Sequence, residues 1–130
     1  MTDSTEHLRI LIIDDDPDVR RVLGAMLSAL GHEFTSAEDG LKGLEAYRAG
    51  TFDIVITDIM MPGQAGLETI GELRRHNPDV RVIAISGGGR IQGPEDVLIQ
   101  ASSLGAQATL GKPFRLADLK RALFGVVEFG

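Results

Sequence analysis

An α/β fold with one parallel sheet covered on both faces is what this chain predicts, and three observations carry the prediction. Short runs rich in aliphatic and β-branched residues (Leu8 to Ile13, Glu33 to Ser36, Ile54 to Thr57, Arg81 to Ser86 and Gln107 to Leu110) alternate with segments long enough for helices. That rhythm is the signature of βαβ units. The intervening segments carry apolar residues at helical spacing, and a chain of 130 residues has the usual size of one domain with a real core.

Taken in order, residues 1–7 are expected to form a flexible N-terminal tail, and residues 8–130 the domain. Leu8 to Ile13 reads as a buried strand. The first helix follows, with Val19, Val22, Leu23, Met26, Leu27 and Leu30 recurring at i, i+3, i+4, i+7, i+8 and i+11 as the stripe that packs on a sheet. Gly31 stops it. Leu67, Ile70 and Leu73 mark another helix, ended by Asn77 and Pro78. Pro94 with Glu95 and Asp96 reads as the first turn of a further helix, because proline there lacks only an N–H the helix does not use and acids favour the dipole. The preceding "SGGGRIQG" is then a loop. Leu116, Leu119, Leu123, Val126 and Val127 repeat the stripe in a terminal helix.

Composition excludes several classes of function. Cysteine is absent, which removes disulfides and thiolate metal sites and fits a reducing compartment. A net charge of −6 argues against direct binding of a phosphate backbone. The longest apolar runs, such as Ile10 to Ile13 and Val82 to Ile85, are far too short to span a bilayer, and "MTDSTEH" lacks a basic start and an apolar signal core. The expectation is a cytoplasmic protein with no membrane and no nucleic-acid partner.

In an open parallel sheet, ligands bind beyond the carboxyl ends of the strands, so the residues ending each strand carry the chemistry. Here they are Asp14 and Asp15, Asp58, Ser86 and Lys112. Two like charges about 4 Å apart at an effective dielectric of about 20 repel by roughly 4 kcal/mol, so crowded carboxylates need an offset. A hard divalent cation supplies one, since magnesium takes oxygen ligands, usually one or two carboxylates with retained waters and a phosphate oxygen. Asp16 has a simpler role: Asp followed by Pro at a helix start is an N-cap with proline at N1. Taken singly, Asp14 and Asp15 could be solvated loop acids, Lys112 a surface lysine and Ser86 a turn residue. Asp58, again an acid ending a buried strand, makes the convergence informative.

Four motifs, "IIDDD", "DIMMPG", "IAISG" and "GKPF", stand in order at the ends of successive sheet elements. With them the whole chain resembles the receiver domain of two-component response regulators. The resemblance implies a flavodoxin-like (βα)5 three-layer sandwich with a five-stranded parallel sheet of order 2-1-3-4-5. It implies that Asp58 accepts a phosphoryl group from the phosphohistidine of a sensor histidine kinase or histidine phosphotransfer protein. Asp15, Asp58 and the backbone carbonyl of Met60 would ligate Mg2+, with Asp14 helping mainly through water. Lys112 and the magnesium would neutralise charge on the transferred group, and the Ser86 hydroxyl would donate to a phosphoryl oxygen. The Lys112–Pro113 bond is expected to be cis by the same resemblance. No output domain follows in these residues, so the expectation is a stand-alone receiver, or one excised from a longer chain, that signals by binding a downstream protein target. It would be a phosphoacceptor, catalysing only its own phosphorylation and dephosphorylation.

Departures and alternatives sharpen this. Thr109, three residues before Lys112, stands where the family often has an aromatic switch residue, and the span from Ser86 to Lys112 is a few residues longer than usual, with additions placed in Gly87 to Gly93. A haloacid-dehalogenase-type phosphatase would use Asp14 and Asp16 as its DxD pair. That family wants Thr or Val two residues after the second acid, where this chain has Asp18. A flavin or nucleotide module needs N–H groups and hydroxyls around phosphate after the first strand, where three carboxylates would repel it. A degenerate receiver that only docks is disfavoured because every chemical position is filled.

Overall fold

The computed structural model describes residues 7–59, 66–86 and 106–129; for Gly66, Leu67, Ser86, Glu128 and Phe129 it describes the backbone alone. The strands are β1 (Arg9–Ile13), β2 (Glu33–Ala37), β3 (Ile54–Asp58), β4 (Val82–Ser86) and β5 (Ala108–Gly111), and the helices are α1 (Pro17–Ala29), α2 (Gly40–Ala49), α3 (Gly66–His76) and the C-terminal α4 (Leu116–Phe129). The helix expected at Pro94 and the Gly87 to Gly93 loop lie outside the described residues. All strand pairs are parallel and the order is β2-β1-β3-β4-β5, the flavodoxin-like arrangement. Among the described residues no helix is long and apolar enough to cross a membrane.

Strand periodicity divides the core. Leu11, Ile13, Val55, Val82 and Ala84 point to one face, where they meet Leu44 and Tyr47 of α2 and Ile70 and Leu73 of α3. Their neighbours Ile10, Ile12, Ile54, Ile56, Ile83 and Ile85 point to the other, against Leu23 and Leu27 of α1 and Leu119, Leu123 and Val126 of α4. Strands buried on both faces read as continuous apolar runs for this reason. Truncating a fully buried residue such as Ile12 to alanine would cost about 2–5 kcal/mol.

Helix ends follow local chemistry. Asp16 caps α1, its carboxylate accepting from the Asp18 amide at 2.9 Å, with Pro17 in the first turn. The other end is a Schellman motif: Gly31, at φ 90°, donates to the Ser28 carbonyl at 3.0 Å, and His32 donates to that of Leu27 at 2.9 Å. Asp39 caps α2 through the Lys42 amide at 2.7 Å. Asp118 reaches back to the Arg115 amide at 2.8 Å, the reciprocal half of a capping box for α4.

Three features are not what the apolar spacing and the N-terminal composition alone convey. Val22, counted in the stripe of α1, is 43% exposed, because it lies at the stripe's edge over the segment after β5 rather than over the sheet. The amphipathic stripe is weak in α2, which presents Gly43 to β1. A side chain there would run into Ile13, so the absence of a Cβ lets the helix sit close. His7, assigned to the tail, hydrogen-bonds to the Gly31 carbonyl at 3.0 Å and to Glu33 at 2.9 Å.

Candidate functional site

The strand ends bring Asp14, Asp15, Asp58 and Lys112 together. Asp14 continues β1 by one hydrogen bond, its amide donating to the Ala37 carbonyl at 3.1 Å, and its side chain has no exposed surface. Its Oδ1 accepts from the Asp16 amide at 2.9 Å, which folds the chain back sharply into α1. Asp15 between them is exposed. Asp58 is the last residue of β3 and is 3% exposed. One carboxylate oxygen from each of Asp14, Asp15 and Asp58 lies within 4.8 Å of the others.

Lys112 enters from the far side of the sheet, one residue after β5, and the Lys112–Pro113 bond is cis, as the resemblance implied. Its Nζ donates to Asp58 Oδ2 at 2.9 Å and stands 3.4 Å from Asp14 Oδ2. Burial alone would lower this ammonium, but the hydrogen bond and charge of Asp58, with the charge of Asp14, outweigh it and hold Lys112 above the ordinary lysine value. Asp14 is pushed the other way. Burial raises its carboxyl from 3.8 to about 6; the Asp16 amide opposes this, the charge of Asp58 adds to it and Lys112 counters it in part.

One atom stands out chemically. Asp14 Oδ2 is buried and has no hydrogen-bond partner, despite the nearby ammonium. A buried, unpaired carboxylate oxygen beside two further carboxylates suits a hard cation: the donor set is entirely oxygen, as magnesium requires, and a dication would remove both the repulsion and the unmet acceptor. The residues present fit that ion.

Ser86 ends β4 opposite Gly111 of β5, on the same rim; its side chain lies outside the described residues. Met60 also lies outside them. Thr109 pairs with Ala84 in the β4–β5 ladder and is half-buried.

Arg20 carries no mark of the site in the sequence motifs. From the second turn of α1 its Nη1 donates to the main-chain carbonyl of Asp14 at 2.7 Å. A signal existed: helical side chains lean toward the helix N-terminus, so a long residue in the second turn sweeps the loop that enters the helix.

Beside the carboxylates runs an apolar groove of about 250 Å³, lined by Asp18, Val19 and Val22 of α1 and by Lys112, Pro113 and Phe114. It shares Lys112 with the acid cluster.

Comparison with known proteins agrees with this geometry. Residues 10–124 match the response regulator receiver domain family. The chain is 32% identical over 129 residues to the chemotaxis protein CheY-3 of Vibrio cholerae, covering 95% of this chain and 94% of that protein. It superposes on a response regulator receiver domain protein from Clostridium thermocellum with a TM-score of 0.82 at 30% identity, covering 92% and 93% of the two chains. It also matches the response regulator TrrA of Thermotoga maritima in two structures. One, in complex with the histidine kinase ThkA, gives a TM-score of 0.77 at 32% identity over 92% and 98% of the chains. The other, in complex with Mg2+-BeF, gives 0.75 at 34% identity over 87% and 93%. This chain belongs to the response regulator receiver domain family.

Proposed function

We propose that this receiver domain takes a phosphoryl group from a phosphohistidine onto Asp58 in a magnesium-dependent reaction and signals through phosphorylation-dependent protein binding. The observation that carries the reading is the triangle at the strand ends: Lys112 Nζ 2.9 Å from Asp58 Oδ2 and 3.4 Å from Asp14 Oδ2, the latter buried and without a hydrogen bond. A nucleophilic carboxylate, a fixed cation and an unfilled acceptor are the parts that phosphoryl transfer to an acid requires.

Asp14, Asp15, Asp58 and the Met60 carbonyl would hold the magnesium, whose positive charge lowers the cost of bringing a phosphoryl group to an anionic site. A carboxylate oxygen of Asp58 attacks phosphorus; the O–P bond forms as the P–N bond to histidine breaks, and the imidazole leaves with that electron pair. Lys112 stays protonated throughout and neutralises charge on the arriving oxygens. Ser86 would donate its hydroxyl to one of them. The donor's histidine has to approach over the rim where Lys112 lies, and the apolar groove beside it, bounded by Val19, Val22 and Phe114, would receive the apolar face of the histidine-bearing partner. TrrA, in complex with a histidine kinase, supports that class of partner. The domain acts on itself alone rather than turning over an outside substrate, and we place it in the cytoplasm with its donor.

The test is intact mass after incubation with a small phosphodonor such as acetyl phosphate, with magnesium and with a chelator. One added phosphoryl group that appears only with magnesium is the expected result. No addition, or the same addition with chelator, overturns the proposal.

A further inference from the structure

Beyond Ile13 the pairing of β1 with β3 stops, so the carbonyl of Asp14, in a residue with no exposed surface, needs a donor from elsewhere. Arg20 supplies it at 2.7 Å. The Asp14 amide is held by the Ala37 carbonyl at 3.1 Å, and Oδ1 by the Asp16 amide at 2.9 Å. Asp14 is thus fixed at three atoms, and the oxygen left over is Oδ2, which faces Lys112 and has no hydrogen bond.

We propose that Arg20 is a positioning residue for the magnesium site: by tying the Asp14 carbonyl to α1, it sets the direction of the Asp14 carboxylate and the path of the loop that carries Asp15. This rests on the magnesium role proposed above. Arg20 touches neither the phosphoryl group nor the metal. Its action runs through the main chain, in the way residues behind a metal ligand orient it.

The sign of one measurement separates this from a simple charge effect. A guanidinium near three carboxylates repels an incoming dication, so if charge were its whole role, removing it would tighten magnesium binding. Removing a clamp loosens it. Arg21 is the internal control, since it carries the same charge on the same helix but points into solvent, paired with Asp18 at 2.9 Å.

The experiment is calorimetric titration of the full chain with magnesium chloride alone, on the parent, Arg20→Met, Arg20→Lys and Arg21→Met. Methionine keeps the stem and loses the donor; lysine keeps a donor and the charge. Arg20→Met is expected to bind magnesium about tenfold more weakly, Arg20→Lys to recover most of that loss, and Arg21→Met to bind as the parent or slightly tighter. Melting without magnesium confirms that each variant folds, and Arg20→Gln replaces Arg20→Met under the same criteria if the latter does not. Magnesium affinity of the Arg20 variant equal to or tighter than the parent's overturns the inference. A parent that binds no magnesium overturns instead the function on which it rests.

Discussion

Among the described residues each rim of the sheet gathers a cluster of charged groups, and the two clusters are built oppositely. At the amino rim the groups close on one another. His7 sets its two ring nitrogens against acceptors, the Gly31 carbonyl at 3.0 Å and Glu33 at 2.9 Å, which suits the doubly protonated ring. His32, buried, accepts from the Leu8 amide at 3.1 Å and is therefore neutral at that nitrogen. The Arg9 amide donates to Asp53 at 2.8 Å, and the Asp53 amide returns a bond to the Arg9 carbonyl at 2.7 Å. At the carboxyl rim three carboxylates meet one ammonium, and a buried oxygen of Asp14 is left unbonded. A cluster of charges is therefore no mark of function by itself. What distinguishes the rim of the proposed site is the interaction it leaves unmade.

That contrast can be broken from either side. Asp58→Asn has the largest expected effect: complete loss of phosphoryl incorporation by mass spectrometry, while Asp53→Asn at the opposite rim incorporates normally. Val22→Asp, which puts a charge in the groove beside Lys112, should slow transfer from a histidine-bearing protein about tenfold, or roughly 1.4 kcal/mol, and leave acetyl phosphate labelling unchanged. Equal slowing with both donors would show that the groove serves the chemistry rather than docking.

A smaller effect concerns stability without magnesium. Because the folded-state carboxyl of Asp14 is raised from 3.8 to about 6, the folded protein holds that proton more tightly than the unfolded chain does. Ionising Asp14 therefore costs stability as pH rises through that window, and the cost persists above it. Asp14→Asn, which can still accept from the Asp16 amide, should be more stable than the parent by about 1 kcal/mol at pH 7.5, a figure held below the full pKa shift by the carboxamide donor that the variant buries beside Lys112. The gain should vanish below about pH 4. Equal melting curves for parent and variant at both pH values would mean that Lys112 fully compensates the buried charge.

The smallest effect lies at the amino rim. The Gly31 carbonyl and then Glu33 hold His7 above the usual 6.5, whereas burial and then the charge of His7 hold His32 below it. Histidine ring proton shifts followed against pH should therefore give His7 the higher midpoint of the two, and Glu33→Gln should bring His7 down. Stability from the His7 contact is full below its unfolded value and is lost as pH rises through the folded one. His32 acts in the reverse sense, costing stability as pH falls below its unfolded value.

Much of this was legible in the sequence, for identifiable reasons. Strand ends in a parallel sheet all face one rim, so Asp14, Asp15, Asp58 and Lys112 could be assembled from position alone. Asp16 was legible as a cap because a cap is a local interaction. What escaped depends on reach across the fold. Arg20 looks like any solvated arginine until the path of the loop before it is known. Val22 matches the apolar stripe, yet its exposure is decided by where the segment after β5 ends. The glycines of α2 hide its sheet-facing side, since Gly43 contributes closeness instead of hydrophobicity. His7 drops out of the domain in a reading by composition, because its partners Gly31 and Glu33 come more than twenty residues later.

Gln107 has a consequence for how this domain can change over evolutionary time. Its amide donates to the Val82 carbonyl at 2.9 Å, its side-chain oxygen accepts from the Val82 amide at 2.7 Å, and its side-chain nitrogen donates to the Val80 carbonyl at 3.2 Å. A carboxamide thus takes the place of a peptide group and pins the chain to the start of β4 just before β5 begins. From that anchor to Lys112 the path is five residues of paired strand and its exit, with no slack. Residues gained or lost upstream of Gln107 are absorbed before the anchor and leave the lysine where it is. A change of length between Ser86 and Gln107 is therefore expected to leave Lys112 in its place against Asp58, since the bonds of Gln107 fix the chain after any such change.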